Sequence, residues 1–532
     1  MDLQPHGDAG FRYLWQSYYG LAELLHAAQV ARKAQLPTAA PGKLYQGLPV
    51  AALPAQLPLV LGDAFATFPT YRAAHALSVG DAPLDRERLT QLLYYTYGVC
   101  RHDVGTQVEW PIHRVVPSAR CRFPVELYLW LPEAGAAPGG FYHYDGLHHQ
   151  LVRLRDGDHT AVLSRGLAHS LQGCTGALLI ATMFNKTASY YFDFAYRLCT
   201  QEAGVVVGNS LLVAGALGIV ARVCYDFLDA PINRLLGLDG VEEAVLAVVT
   251  LHREPDAGAR PIPCAADALC AEIAPISPAV QGYVPLDRER CAQFLTLDRL
   301  ARLEHTAALP RQVAGSRPAP SAPPTISFGL PPMLPHDLAA ALHTRSSGDA
   351  FFQPQAVPTT RDQALELVRY VLEPVDDDIG GTFSGLRLFA VLNSVADVPP
   401  GVYELESAAA GLRLVRNGQF AEALRRAQPM MRCDTATMVC YIVGEYAPLT
   451  AALGERAYRV LQMQAGLIAE RLCVLSAVFG MVARCSDSYS LDSVLSMLGL
   501  SESTWLPLIQ VAIGHEIPGC GGAERYRLLI RF

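Results

Sequence analysis

Two long apolar stretches stand out in the pattern of hydrophobic and polar positions along the chain. The first reads VVVGNSLLVAGALGIVARVC from Val205, and the second reads LIAERLCVLSAVFGMVARC from Leu467. Either is long enough for a membrane span, but the charged residues Arg222, Glu470 and Arg471 are costly in hydrocarbon. A helix inside a large core has the same composition. The pattern therefore predicts buried helices between domains and no membrane partner.

The two stretches belong to an internal repeat. The segment YRLCTQEAGVVVGNSLLVAGALGIVARV from Tyr196 aligns without a gap with YRVLQMQAGLIAERLCVLSAVFGMVARC from Tyr458, an offset of 262 residues. Gly204 and Gly466 are separated by the same offset. Upstream, GGFYHYDGLHHQLVRL and PPGVYELESAAAGLRLVR both alternate apolar and polar positions, which predicts a strand, a turn and a second strand. The repeat indicates a tandem duplication.

The same pattern divides the chain into four parts. A proline-dense stretch at 305–335 cannot continue a helix or an interior strand and is expected to be a linker. It separates a first domain at 51–304 from a second at 336–532, and a helical leader at 1–50 is expected to pack against the first domain. Each domain begins with helices, continues with a strand pair and a long apolar helix, and closes with a strand such as AVLAVVTL or LIQVAIG. This order predicts an α+β fold.

Composition and charge exclude several classes of function. The 532 residues are 51% hydrophobic and 17% charged, which is typical of large globular cores. The net charge of -8 and the pI near 6.0 argue against nucleic acid as a partner. The 13 cysteines form no C-x-x-C pair, and the N-terminus lacks the features of a secretory signal. A reduced, cytoplasmic protein is expected, and no G-x-G-x-x-G or P-loop motif supports a Rossmann or P-loop site.

A series of motifs in order resembles the SagB/ThcOx-type azoline dehydrogenases of the nitroreductase superfamily. The first domain carries YGV at Tyr97, RVVPSARCRFPVELYL from Arg114, GFYHYDGLHHQLVRL from Gly140 and YRLCTQEAG from Tyr196. The resemblance covers about 65–250 and 340–515, and it implies two tandem nitroreductase-like FMN domains. In this family the flavin lies at a dimer interface, so the fused pair implies a pseudo-dimer within one chain.

Departures from the family motifs imply one composite FMN site. The family's R-R-S phosphate motif is lost in the first domain except for Arg72, whereas the second domain keeps it in TRSSGDAFF. The proline-serine loop survives only in the first domain. A guanidinium and two hydroxyls suit a phosphate dianion, although a helix N-cap with a solvated arginine is the alternative for this segment. The resemblance assigns to the flavin Pro117, Ser118, Ala119, Arg120, Arg345, Ser346, Ser347, Gly480, Arg525 and Arg527.

The catalytic residues are less clearly marked. The family's Lys-Tyr pair aligns with Tyr190 and Tyr191, so the lysine is absent, and Lys186 one helical turn earlier is a substitute. The alternative for Tyr191 is a core aromatic. Arg120 and Cys121 replace the family's Gly-Ala, which suggests selection of an anionic substrate, stabilisation of reduced flavin, or a weakened site.

The histidines of HYDGLHH are expected to be structural, and no metal is expected. The resemblance implies an FMN-dependent dehydrogenase that converts thiazolines or oxazolines of a ribosomal peptide into thiazoles or oxazoles. It also implies an azoline-containing precursor peptide and a cyclodehydratase as partners, with further homo-oligomerisation left open. The alternatives are a flavoenzyme with another substrate, such as a nitro compound or quinone, and a non-catalytic scaffold that keeps the flavin fold.

Overall fold

The structure is a computed structural model. It describes residues 9–19, 42–58, 60–77, 84–105, 110–133, 135–253, 261–307, 309, 311–313, 323–330, 332, 336–348, 352–355, 357–381, 383–406, 411–516 and 526–529. Arg525 and residues Leu21, Leu24 and Leu25 of the leader lie outside this part of the chain.

The strands of the described residues fall into three sheets. In chain order they are β1 Val50–Ala52, β2 Val99–Val104, β3 Ile112–Arg114, β4 Val125–Leu131, β5 Gly140–Asp145, β6 Gln150–Asp156, β7 Cys174–Met183, β8 Val220–Cys224, β9 Glu243–His252, β10 Ile326–Ser327, β11 Leu386–Leu392, β12 Gly401–Glu406, β13 Gly411–Asn417, β14 Met438–Gly444, β15 Val482–Ser486, β16 Leu506–Gly514 and β17 Tyr526–Leu529.

The helices lie before, between and after these strands. They are α1 Ala9–Tyr19, α2 Pro69–Ala74, α3 Arg86–Tyr97, α4 Thr160–Leu167, α5 Asn185–Tyr191, α6 Ala195–Ala216, α7 Asp229–Leu236, α8 Ala266–Ala271, α9 Ala292–Leu300, α10 Leu338–Thr344, α11 Arg361–Arg369, α12 Ala421–Ala427, α13 Tyr446–Leu453, α14 Arg456–Val478 and α15 Leu491–Leu498.

The two larger sheets have the same topology. Their strand orders are β1-β6-β5-β4-β7-β9-β8 and β10-β13-β12-β11-β14-β16-β15, and their neighbouring strands pair antiparallel. Even a local irregularity is repeated, because the register shifts at Phe141/Tyr142 in one hairpin and at Val402/Tyr403 in the other. The α+β fold and its duplication are therefore confirmed.

The two long helices cross at the centre of the molecule. A Cβ atom on Gly204 would lie 1.9 Å from the carbonyl oxygen of Met463, and one on Gly466 would lie 2.0 Å from that of Gln201. Only glycine permits this approach of the two backbones. Tyr196 and Tyr458, the first residues of the aligned repeat, stack with ring centroids 5.8 Å apart. The helices form a pseudo-twofold interface.

The helical parts of both apolar stretches are largely buried, as expected. Every residue of α14 except Val478 is buried. Among the described residues, only α14 has the length and composition of a membrane span, and its apolar window is entirely buried in the protein. Its arginine Arg459 lies 2.9 Å from Asp229 of the first half, and Arg197 of α6 lies 3.4 Å from Asp487 of the second. The equivalent arginines of the repeat therefore both reach across the interface.

The segments outside the repeat join the two halves. The leader helix α1 contacts both halves and not only the first, because Glu455 accepts hydrogen bonds from the backbone of Ala9 and Gly10, while Ser17 accepts one from Arg197. The proline-rich segment contributes the short edge strand β10 to the second sheet. At the C-terminus, β17 pairs with β2 of the first half, and β2 pairs with β3 in a third sheet.

Candidate functional site

Arg345 of the second half lies against the segment that leads into the proline-serine loop of the first half. It follows α10, and its Nε and Nη2 donate hydrogen bonds to the carbonyl oxygens of Val115 (2.8 Å) and Arg114 (3.2 Å). The side chain is buried. The helix N-cap alternative is wrong, because Arg345 stands at the C-terminal end of its helix and is not solvated. The two retained halves of the motif set are thus in direct contact.

The surroundings of Arg345 fit an anionic group. Its Nη1 is buried, and in the described part of the chain it has no hydrogen-bond partner. A buried guanidinium N–H without a hydrogen-bond acceptor costs folding free energy, unless a ligand or a water molecule accepts its hydrogen bond. Arg72, the remaining arginine of the first domain's motif, instead donates Nη1 to the carbonyls of Ala66 and Thr67. A guanidinium N–H such as that of Nη1 is a suitable donor to a phosphate oxygen.

The other predicted phosphate residues surround the same segment. Ser346 and Ser347 follow Arg345, and their carbonyl oxygens accept hydrogen bonds from the Ala483 backbone and the Arg484 side chain. Gly480 is exposed and has open space where a Cβ would stand. The backbone of Arg527 pairs with that of Asp103 on β2. The C-terminal strand therefore pairs with β2 of the first half.

The proline-serine loop is held by a buried carboxyl group. Ser118 Oγ donates to Glu202 of α6 at 2.6 Å and accepts from the backbone of Phe123 at 2.8 Å. Tyr97 donates to the other oxygen of Glu202 at 3.4 Å. Burial raises the pKa of Glu202 to about 8, although Ser118 and Arg114 oppose the rise. Sequence reasoning missed Glu202, whose signal is a charged residue within the repeated apolar helix.

Three residues of this loop adopt left-handed backbone conformations. The φ angles of Arg120, Cys121 and Phe123 are 51°, 49° and 48°. Such conformations cost free energy in residues other than glycine and are concentrated at functional sites. Ser118 to Arg122 are only half-buried, whereas Pro117 before them is buried. The loop thus presents its strained part, including Ala119, at an accessible position.

Arg120 brings the loop to the two predicted catalytic tyrosines. Its Nε donates to the hydroxyl of Tyr191 at 3.1 Å, and its guanidinium lies 4.4 Å from the ring centroid of Tyr190. Burial raises the pKa of Tyr191, while Arg120 acts in the opposite direction. Tyr191 is half-buried, so a charged donor and an accessible phenol stand side by side.

Lys186 does not interact with Tyr190 or Tyr191 through its amino group, which instead forms a buried ion pair with Glu126. Its Nζ lies 2.5 Å from Glu126 and 3.3 Å from the carbonyl oxygen of Phe123, and the side chain is 2% exposed. Glu126 also lies 2.8 Å from His143. Burial would raise the pKa of Glu126, but Lys186 and His143 hold it below its ordinary value. The expectation that Lys186 replaces the family's lysine gains no geometric support, because its charge is already neutralised.

The remaining histidines of HYDGLHH have structural partners. His148 Nδ1 lies 2.6 Å from Asp145, whose other oxygen accepts the backbone N–H groups of Leu147 and His148. His149 Nδ1 lies 3.1 Å from the hydroxyl of Tyr144. In the part of the chain that the structure describes, no group of His, Cys, Asp and Glu has the arrangement of a metal site.

Comparison with known proteins extends this description. No family model matches the chain. A solved structure from Anabaena variabilis, reported under the name of a nitroreductase, superposes with a TM-score of 0.70 at 20% identity, over 96% of this chain and 100% of the other. The chain has the nitroreductase fold. Because the alignment covers both chains almost completely, the nitroreductase fold includes both halves described above.

Sequence similarity to the same superfamily is partial. A protein of Methanocaldococcus jannaschii that bears the name of a nitroreductase is 27% identical over 157 residues, which cover 29% of this chain and 75% of that protein. The microcin B17-processing protein McbC of Escherichia coli is 27% identical over 144 residues. This match covers 26% of the chain and about half (53%) of McbC.

Proposed function

We propose that the protein is an FMN-dependent oxidoreductase with one composite flavin site between its halves. The observation that carries the proposal is the position of Arg345 on the carbonyls of Arg114 and Val115, just before the proline-serine loop of the other half; its buried Nη1 has no hydrogen-bond partner among the described residues. A bound FMN would supply a hydride acceptor. In this site Arg345, with Ser346, Ser347 and the C-terminal Arg525 and Arg527, would hold the phosphate, and Pro117 to Arg120 would contact the ring.

For the reaction, we propose oxidation of azoline rings in a ribosomal peptide. The support is the motif series of the sequence and the similarity to McbC, which is named for the processing of microcin B17. A precursor peptide and a cyclodehydratase partner come with that proposal. In the oxidation, one proton must leave the ring as the hydride leaves. Our candidate base is the phenolate form of Tyr191, which would accept that proton, and Arg120 favours this form through its hydrogen bond to the Tyr191 oxygen, against the effect of burial.

A second candidate is reduction of another substrate, such as a nitro compound or a quinone. It is favoured by the guanidinium of Arg120, which stands where the family has glycine and carries a positive charge toward the accessible part of the loop. A positive charge there stabilises an anionic substrate or the anionic reduced flavin.

Flavin titration tests the first proposal. The purified chain should bind one FMN per chain, and Arg345→Ala should weaken binding at least tenfold, because a charge-assisted contact to phosphate contributes about 1.5–3 kcal/mol. Arg72→Ala is the matched control and should bind FMN as the wild type does, since its guanidinium is used on local carbonyls. Two flavins per chain, or none, would contradict the composite site.

Turnover separates the reactions. An azoline peptide incubated with the flavin-loaded protein should lose two hydrogens per ring in its mass spectrum. If nitro compounds or quinones are reduced and the peptide is unchanged, the second candidate is the correct one. Tyr191→Phe should lower the turnover number by roughly 10²-fold or more if this hydroxyl handles the proton, without changing the amount of bound flavin.

A further inference from the structure

Cys121 of the proline-serine loop and two side chains of the neighbouring strands, His113 and Asp103, are in successive contact and have no part in the proposed flavin chemistry. The sulfur of Cys121 lies 3.7 Å from Nδ1 of His113. On the other side of the ring, Nε2 of His113 lies 3.1 Å from a carboxylate oxygen of Asp103. The antiparallel pairing of β2 with β3 sets the distance between Asp103 and His113, and the turn at Ala119–Cys121 places the sulfur.

The contacts select one tautomer of the imidazole. The carboxylate of Asp103 favours a proton on Nε2, so the lone pair of Nδ1 points to the Cys121 sulfur. Burial lowers the pKa of His113, with Asp103 opposing the shift, so the ring is neutral at neutral pH and able to take a proton. Asp103 also lies 3.1 Å from Arg101, so its carboxylate has a cationic neighbour besides the imidazole.

Cys121 is an accessible thiol that needs a base. Burial raises its pKa to about 11, against the charges of Arg345 and Arg101, so the thiol is protonated at rest. It is nevertheless half-buried rather than enclosed, as is His113. Its φ of 49° places it on a strained turn, and nucleophiles of several hydrolase families stand on turns of this kind.

We propose that Cys121, His113 and Asp103 form a nucleophilic thiol site that accepts acyl groups from activated esters or thioesters. Such a site is an activity beyond the proposed oxidoreductase function and does not depend on a bound flavin. A nucleophile, a neutral imidazole and a carboxylate that orients the imidazole are the components of acyl transfer on many unrelated folds.

The reaction balances with these three residues and water. As the sulfur of Cys121 bonds to the acyl carbon, its proton passes to Nδ1 of His113. The bond from the acyl carbon to the leaving oxygen or sulfur then breaks, and that atom takes the proton from His113. Water next attacks the thioester, gives a proton to His113, and the proton returns to Cys121 as the acid leaves. The guanidinium groups of Arg101 and Arg345 provide positive charge near the reacting carbonyl.

Acetylation by 4-nitrophenyl acetate tests the proposal in the full-length, flavin-free chain. Release of nitrophenolate should show a burst of one equivalent, and peptide mass mapping should find the acetyl group on Cys121. His113→Gln should slow the burst by roughly 10²–10⁴-fold, because the general base is lost. Asp103→Asn should slow it less, since Asp103 is a positioning residue.

Cys485→Ala is the matched control and should leave the burst unchanged. Cys485 is comparably half-buried, but its sulfur faces that of Cys473 at 3.7 Å and not a histidine. Acetyl groups spread over several cysteines, or an unlabelled Cys121 in the wild type, would overturn the proposal without the use of any variant. Equal burst rates in wild type and His113→Gln of equal thermal stability would overturn it as well.

The pH profile separates a base from a merely structural histidine. The groups that face His113 are Asp103 and Arg101 on β2, Cys121 on the loop, and Arg345 from the second half. The wild-type burst rate should fall with decreasing pH only below the ordinary histidine value of 6.5. In His113→Gln the rate should instead rise steadily toward alkaline pH with the ionisation of the thiol, and a profile shared with wild type would refute the role of His113.

Discussion

At the scale of single residues, the site is governed by buried polar groups whose partners come from distant parts of the chain. Glu202 lies on an apolar helix and yet binds Ser118, 84 positions away in the sequence. Its burial raises its pKa to about 8. Between the ordinary glutamate value of 4.5 and 8, the folded protein therefore holds a proton that the unfolded chain releases. The free energy of unfolding contributed by this group declines as pH rises through that interval.

The variant Glu202→Gln should remove this decline. Glutamine keeps the shape, and its amide oxygen can accept the hydrogen bond from Ser118, so the variant should gain stability relative to wild type at pH 8 and gain little or none at pH 4. The measurement is the midpoint of urea denaturation as a function of pH. A stability difference between the two proteins that is the same at pH 4 and pH 8 would show that Glu202 is already ionised in the folded state.

At the scale of elements, the crossing of α6 and α14 determines how the halves join. The helices approach so closely at Gly204 and Gly466 that there is no room for a Cβ atom at either position. The atoms that a Cβ would meet belong to the backbone of the other helix, so they cannot move aside as a flexible side chain could. Both copies of the repeat thus require glycine at this position for the same reason, the lack of space for a side chain.

Substitution within α6 tests this cause. Gly204→Ala should destabilise the protein by several kcal/mol, on the order of the cost of large core changes, because the methyl group would collide with the Met463 carbonyl. The matched control is Gly215→Ala in the same helix, where a Cβ would meet Thr67 at 3.5 Å. That variant should be neutral or more stable by up to about 1 kcal/mol, the difference in helix propensity. Thermal denaturation of the two variants measures the difference. An equal loss of stability in Gly204→Ala and Gly215→Ala would rule out the steric explanation.

At the scale of the whole molecule, the two halves share one hydrophobic core, and we therefore expect them to unfold together. A single hydrophobic cluster contains residues of both, including Tyr196 and Tyr458. Buried ion pairs add to it, since Asp229 of α7 lies 2.7 Å from Arg456 and 2.9 Å from Arg459. Burial would raise the pKa of Asp229, but the two guanidinium groups reverse the shift.

Removal of the Asp229 carboxylate should therefore lower the free energy of unfolding of both halves together. Asp229→Ala leaves two buried arginines without their partner and should cost about 3–5 kcal/mol, seen as a lower midpoint of one shared unfolding transition. The control is Asp376→Ala, which removes an exposed ion pair between the halves with Arg222 and should cost at most about 1 kcal/mol. Separate unfolding of the two halves in the wild type would contradict the shared core.

The sequence by itself determined the duplication, the α+β class and the buried central helices. These properties follow from periodicity and local composition. Both can be read from a continuous stretch of sequence, such as the apolar residues from Val205 onward, without knowledge of the rest of the chain. It also predicted that the complementary motif remnants belong together, and the structure places Arg345 on the carbonyls of Arg114 and Val115, just before the proline-serine loop. The leader was only partly foreseen, because the aromatic residues of α1 do not reveal which half they contact.

Only the tertiary structure decided which charged groups meet. Lys186 pairs with Glu126, Arg120 with Tyr191, and His113 with both Asp103 and Cys121, and none of these pairings follows from spacing along the chain. The physical reason is that the burial of a charge depends on partners supplied by other elements, whereas helical and strand periodicity depends on immediate neighbours. The fold could thus be inferred from local pattern, but the chemistry of the loop arises from contacts among strands, helices and both halves.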